Sequence, residues 1–428
     1  MFIEDLHKLF LECDTISINS REIPTLVKEG HKVMFFAIKG DNFDGNDYAL
    51  DALNNGASYV IVNKMVGRIS GQIIEVKDTL KTLQALAHLH RHTLNIPIIA
   101  VTGSNGKTTT KELMAAVLGK KYKTIATKGN LNNHLGVPLT LLSINEEHEI
   151  AIVEMGANHR MEIAALASIA APNYGIITNI GKAHLEGFGG EEGVIKGKGE
   201  LYDHLDACGG TAIYNQDIEK VNTLIQKYKN IKKVAYTTSD VKCFHESGFL
   251  EVASDNYIIH SRLIGDYNAF NIATAYAVGE YFGVNKSDII SAIEDYTPSN
   301  NRSQLTEIGS NRFIIDAYNA NPSSMRLSIE NFKEMKGAHK IAIVGDMKEL
   351  GEYSLNEHIE IIKLLECSSL ENVIFVGDEF AKALKGYTPT MKHLWFKDVE
   401  GAKENIQNLT DTLILVKGSN STCLHKIL

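Results

Sequence analysis

The sequence predicts an α/β protein of three domains: a small N-terminal α/β domain, a central phosphate-loop domain with a mostly parallel sheet, and a smaller C-terminal domain of the same α/β alternation. Three observations carry this expectation. The chain has 428 residues, more than one ordinary hydrophobic core holds. From about residue 96 onward, short apolar runs alternate with helical patterns, as in parallel sheets covered by helices. A glycine-containing loop joins an apolar strand to a helix at 101–110.

The first block, 1–95, has strand-like runs at 33–38, 59–62 and 73–76, with polar turns at 39–42 and 44–46. It closes with a helical stretch at 79–93, where Leu80, Leu83, Ala87 and Leu94 recur at near-helical spacing. The second block, 96–297, is expected to hold strands at 98–101, 150–153, 174–178 and 211–214. Its helices are expected at 107–118, 161–170, 192–205 and 267–281. The third block, 298–428, repeats the alternation with strands at 313–315, 340–344, 372–376 and 412–416. The polar stretch 298–302 reads as a hinge.

Composition narrows the class. The chain is 44% apolar and 22% charged, as in globular proteins, and no apolar run approaches the roughly 18 residues of a membrane span. Residues 1–10 carry Glu4 and Asp5 and do not read as a secretory signal. A net charge of −9 opposes binding to a nucleic-acid backbone. Five scattered cysteines without CxxC spacing point to neither disulfides nor zinc, so a reducing cytoplasm is expected.

The strongest local signal is 98–110, IIAVTGSNGKTTT. Gly103 and Gly106 let the backbone amides of Ser104, Asn105 and their neighbours turn toward one anion, and the following helix adds its N-terminal dipole. Lys107 is placed to reach the phosphates of ATP and the Thr108 hydroxyl to ligate Mg²⁺, with Thr109 beside them. The usual spacing puts a glycine at position 101, where this chain has Val101.

Further candidates follow the loop. Glu154 ends a buried run, where a carboxylate faces the ligand crevice and suits Mg²⁺. His184, after the next strand, reads as a metal ligand or a loop histidine. Lys198 taken alone reads as a helix lysine. Asn268 and Asn271 share one face of a helix start, and their amides suit an adenine edge, though such residues are also ordinary there. The segment 316–322, DAYNANP, follows a strand and has turn chemistry. His88, His90 and His92 invite a metal reading, but only His88 and His92 share a helix face, and metal is not expected there.

Taken together, segments 101–110, 153–159 (VEMGANH), 183–188 (AHLEGF), 196–201 (KGKGEL), 267–271 (YNAFN), 316–322 and 344–351 (VGDMKELG) resemble the Mur ligase family across nearly the whole chain. The last two favour the branch that uses a dipeptide. The resemblance implies an ATP-dependent, ADP-forming ligase of peptidoglycan synthesis, hence of cell shape and division. Its substrates would be UDP-N-acetylmuramoyl-tripeptide and D-alanyl-D-alanine, its cofactor two Mg²⁺ ions, its state a monomer. It implies that 1–95 binds the UDP-sugar through Ser20 and Arg21, that 96–297 is a P-loop ATPase domain, and that 298–428 is Rossmann-like and carries the amine substrate. Lys107, His184 and Lys198 would be catalytic, and Thr108, Glu154, His184 and a carbamylated Lys198 would hold metal. Asn268 and Asn271 would contact adenine, and Arg302, Asp316, Tyr318 and Asn319 would complete the nucleotide site. Lys417-Gly418-Ser419 fits the family, but the Arg-Gly that usually follows is here Asn420-Ser421. The alternatives are a Mur ligase adding a single amino acid and, in another class, a phosphate-loop ATPase switch.

Overall fold

The computed structural model describes residues 2–64, 71–245, 248–298 and 304–428. Arg302 and most of the expected hinge lie outside the described residues.

The first sheet is parallel, in the order Thr15–Ser17, Val33–Phe36, Tyr59–Val62, Ile73–Glu75. Alternation along its strands sends Val33, Phe35, Val60 and Val62 to one apolar layer and Met34, Phe36 and Ile61 to another, as the two-residue period requires. Helix Thr79–Thr93 is capped by Asp78, which accepts from the Lys81 amide. Its buried Leu83, Leu86 and Ala87 join the core shared with the helices of the central block. Arg91 in the same helix is buried and donates to the carbonyls of Ala170 and Leu94 and to Asn173 Oδ1 at 2.8–3.1 Å. The histidine tract is structural. His90 Nε2 meets the Ile144 carbonyl and its Nδ1 meets His7 Nε2, while His88 and His92 pack edge-to-face.

The central sheet is parallel throughout, in the order Lys232–Tyr236, Thr211–Asn215, Tyr174–Ile177, Ile98–Thr102, Ile150–Glu154, Thr124–Ala126. Strand Ile98–Thr102 is buried along its whole length. Ile99 and Val101 face helices Lys107–Leu118 and Tyr267–Tyr281, and Ile98 and Ala100 face the opposite layer. The chain leaves this strand first toward one edge and later returns to its other side. The C-terminal end of Ile98–Thr102 is therefore a topological switch point, where such sheets bind ligands.

The third sheet runs Gln304–Ile308, Asn311–Asp316, Thr412–Lys417, His339–Gly345, Asn372–Val376, His393–Phe396, with only the first strand antiparallel. A small antiparallel sheet, Lys242–Phe244, Glu251–Ala253 and Ile258–His260, was not foreseen within the parallel central block. Its strands are three residues long, too short to print a periodic pattern.

Candidate active site

Helix Lys107–Leu118 begins at Gly106 with φ 78° and no side-chain cap. Its first amides are thus left for a ligand. Gly103 has φ 147°, and a Cβ there would lie 2.0 Å from Thr178 Oγ1, so only glycine fits. Asn105 is held by Asn179, whose Oδ1 accepts from the Asn105 amide and whose Nδ2 donates to its carbonyl. Lys107 Nζ folds back onto the Gly103 carbonyl at 2.8 Å, a contact that an incoming phosphate would replace.

At the neighbouring strand end, the Thr108 hydroxyl donates to Glu154 Oε1 at 3.1 Å and Asn132 Nδ2 donates to the same oxygen at 2.8 Å. Glu154 is 1% exposed. Its Oε2 has no hydrogen-bond partner among the described residues, and Lys111 Nζ stands 3.8 Å away. A buried carboxylate oxygen left unsatisfied is costly. Paired with a threonine hydroxyl, it is the hard-oxygen donor set that suits Mg²⁺.

Lys198 lies within helix Glu191–Cys208 and is 1% exposed. Its amine reaches the Ala157 carbonyl at 3.5 Å and sits 5.1 Å from the centre of the Phe188 ring. Gly197 makes room for that ring, since a Cβ there would lie 2.3 Å from it. Burial, and next the nearby Lys107 cation, lower the Lys198 pKa to about 7. A large share of the amine is therefore neutral and nucleophilic near pH 7.

The third block closes over this surface. Asn321 Nδ2 donates to Asn105 Oδ1 at 2.7 Å, and the Lys182 amide donates to Ser323 Oγ at 2.9 Å. Lys182 Nζ pairs with Glu357 at 2.7 Å. His184 Nδ1 pairs with Glu349, and this contact holds the Glu349 carboxyl below its ordinary range. Between the blocks lies a cavity of about 840 Å³. Lys107, Thr108, Glu154 and His184 line it from the central block, Asp316, Tyr318 and Asn319 from the third.

Sequence comparison places this arrangement. Residues 101–279 match the Mur ligase middle domain and residues 301–420 the Mur ligase glutamate ligase domain. The UDP-N-acetylmuramoyl-tripeptide–D-alanyl-D-alanine ligase of Haemophilus influenzae is 34% identical, over 92% of this chain and 90% of the relative. The Bacillus subtilis ligase of the same description is 32% identical, over 92% and 89%. The chain belongs to the Mur ligase family. Among solved structures, MurF from Acinetobacter baumannii superposes with a TM-score of 0.83 at 29% identity, covering 96% of this chain and 92% of that one. MurF ligase from Thermotoga maritima in complex with ADP gives 0.83 at 27% identity, covering 96% of each.

In this Mur ligase the cavity gathers Ser104, Asn105, Gly106, Lys107, Thr108, Thr109, Glu154, His184, Asn268, Asn271, Asp316, Tyr318 and Asn319. Gly103 turns the loop without lining the cavity, and Lys198 stands behind Ala157, itself a lining residue. Ser20 and Arg21 do not line the cavity. They sit in the turn after strand Thr15–Ser17, where Asn19 Oδ1 accepts from the Arg21 amide. Asn268 and Asn271 are joined by their side chains at 2.7 Å, and Asn271 Oδ1 also accepts from the Thr110 hydroxyl of the loop helix. A Cβ at Gly106 would lie 2.5 Å from that same oxygen, so Asn271 shapes the phosphate loop as well as lining the cavity.

Sequence reasoning missed Asn132, Asn179, Asn321, Glu349 and Lys417. Lys417 is buried and bridges Asp316 at 2.9 Å and the Asn319 carbonyl at 2.7 Å, fixing the turn that lines the cavity. Glu349, Asn321 and Lys417 lay inside segments already singled out, which was the available signal. Asn132 lay in an asparagine-rich turn that marks a loop and nothing more.

Proposed function

We propose that this chain is the ligase that joins D-alanyl-D-alanine to UDP-N-acetylmuramoyl-tripeptide with ATP, giving the UDP-muramyl-pentapeptide of peptidoglycan synthesis, ADP and phosphate. The observation that carries this reading is the cavity built jointly by the uncapped phosphate-loop helix and the third block. It can enclose ATP together with the ends of two further substrates. Residues 1–95 would hold the UDP-sugar, with Ser20 and Arg21 as contacts, 96–297 the ATP, and 298–428 the dipeptide.

The substrate carboxylate attacks the γ-phosphorus, the bond to the β-phosphate oxygen breaks, and ADP leaves an acyl phosphate. The dipeptide amine then attacks the acyl carbon, and the tetrahedral intermediate expels phosphate and loses a proton. Lys107 and the amides of 104–108 hold the phosphates and meet the charge that develops on them. Thr108 and Glu154 would hold one Mg²⁺, and His184 with Lys198 as its carbamate would hold a second. Bound Mg²⁺ supplies neutralisation of phosphate charge and polarisation of the transferred group. Asp316, Tyr318 and Asn319 shut the cavity from the third block, excluding the water that hydrolyses an acyl phosphate.

The test is phosphate release from ATP with UDP-muramyl-tripeptide present, with and without D-alanyl-D-alanine. Release that needs both, with a pentapeptide product by mass, supports the reading. Turnover with a single amino acid in place of the dipeptide overturns the substrate assignment. ATP turnover indifferent to both substrates overturns the ligase reading and favours a switch.

A further inference from the structure

The reaction outlined above makes no use of Glu349. It follows strand His339–Gly345 with φ 60°, a left-handed conformation that non-glycine residues seldom adopt. Its carboxylate reaches His184 Nδ1, with Asn158 Nδ2 at 3.5 Å, and its carbonyl accepts from the Glu186 amide at 3.3 Å. All three partners belong to the central block, so one residue crosses the gap by both side chain and main chain. His184 is left-handed too, with φ 52°. A carboxylate facing Nδ1 keeps the ring proton there and leaves Nε2 as the nitrogen with a lone pair.

We propose that Glu349 is a positioning residue that docks the third block on the central one and sets the ring orientation and tautomer of His184. The part of the site that His184 supplies is then assembled only in the docked arrangement. The role toward His184 rests on the Mg²⁺ site under Proposed function, whereas the docking role does not.

Two measurements on the full chain test it, comparing wild type, Glu349→Ala, Glu349→Gln and the exposed control Glu352→Gln. In small-angle X-ray scattering with Mg²⁺ and a non-hydrolysable ATP analogue, wild type and control are expected to share one compact curve. Glu349→Ala should give a larger radius of gyration and Glu349→Gln an intermediate one, with melting temperatures unchanged. In steady-state assays the Mg²⁺ concentration for half-maximal rate should rise about 10- to 100-fold in Glu349→Ala, with the control unmoved. Scattering identical to wild type overturns the docking role, as does a wild type that stays extended. An unchanged Mg²⁺ dependence overturns the role toward His184. Absence of ligase activity in the wild type defeats the functional reading instead, and the scattering still decides docking.

Discussion

Asn321 Nδ2 donates to Asn105 Oδ1 at 2.7 Å, tying the N-cap of a third-block helix to the tip of the phosphate loop. The same Asn321 caps helix Pro322–Glu334 by accepting from the Ser324 amide in a capping box. One residue thus serves two purposes that substitution can separate. Asn321→Asp keeps the cap acceptor but loses the donor to Asn105. A hydrogen bond worth about 1 kcal/mol then predicts about a fivefold rise in KM for ATP with little change in Tm. Asn321→Ala should show the same rise and also lose about 1 kcal/mol of stability with the cap. Phosphate-release kinetics and thermal melts read the two effects.

Gly103 tests the phosphate loop. Its φ of 147° and the 2.0 Å approach to Thr178 Oγ1 leave no room for a methyl group. Gly103→Ala should lose about 2–3 kcal/mol of local order, which weakens ADP binding by about 30- to 150-fold in calorimetry. Gly129→Ala is the control. It has φ 53° but open space around it, and nucleotide affinity should hold.

Lys198 offers a chemical test. With its pKa lowered to about 7 by burial, the amine can react with carbon dioxide at neutral pH. Isotope-labelled bicarbonate should produce a carbamate carbonyl resonance in the wild type that is missing from Lys198→Arg. Activity in carbon dioxide-stripped buffer should fall and return when bicarbonate is restored.

The His7–His90 pair predicts acid sensitivity at the joint between the first two blocks. A carbonyl can only accept, so His90 donates from Nε2 to Ile144, and its Nδ1 must accept from His7 Nε2. Protonating Nδ1 would set two N–H groups against each other. Burial lowers the pKa of both rings below the ordinary histidine value of 6.5. The unfolded chain then binds more protons just below that value, so stability rises with pH there. Their contribution is fully present above about pH 6.5 and is lost as pH falls toward the lowered values. Melting temperatures between pH 7.5 and 5 should show the fall, and His90→Gln should flatten it.

The sheets and the phosphate loop were legible because both write themselves in local pattern. Strands such as Ile98–Thr102 and Thr412–Lys417 are continuous apolar runs bounded by turns, and the loop pairs glycines with Lys107 and Thr108. Short elements such as Thr15–Ser17 and Lys242–Phe244 hold too few residues for a period to show. Within the cavity, residues at the C-terminal end of a strand declared themselves, as Glu154 and Asp316 did. The roles of Asn132 and Lys417 did not. Asn132 acts through Glu154, which lies 22 positions away, and Lys417 through Asp316, which lies 101 positions away. Pairings of that kind are created by strand order. Val101 at the usual glycine position needs no compensation, because it lies within the buried strand, before the chain turns at Gly103.

Leu83, Leu86 and Ala87 give the first block an apolar bearing against the central one, with the buried polar groups of Arg91 and His90 satisfied by carbonyls. The third block meets the phosphate loop and the 182–186 turn through amides, carboxylates and a lysine. Water replaces the partners of such groups at little net cost, but it offers nothing to an uncovered leucine. The two joints therefore differ in what parting them would cost. Under the proposed reaction the first joint is expected to stay closed while the third block parts, which would keep a bound sugar nucleotide aligned to ATP as product leaves.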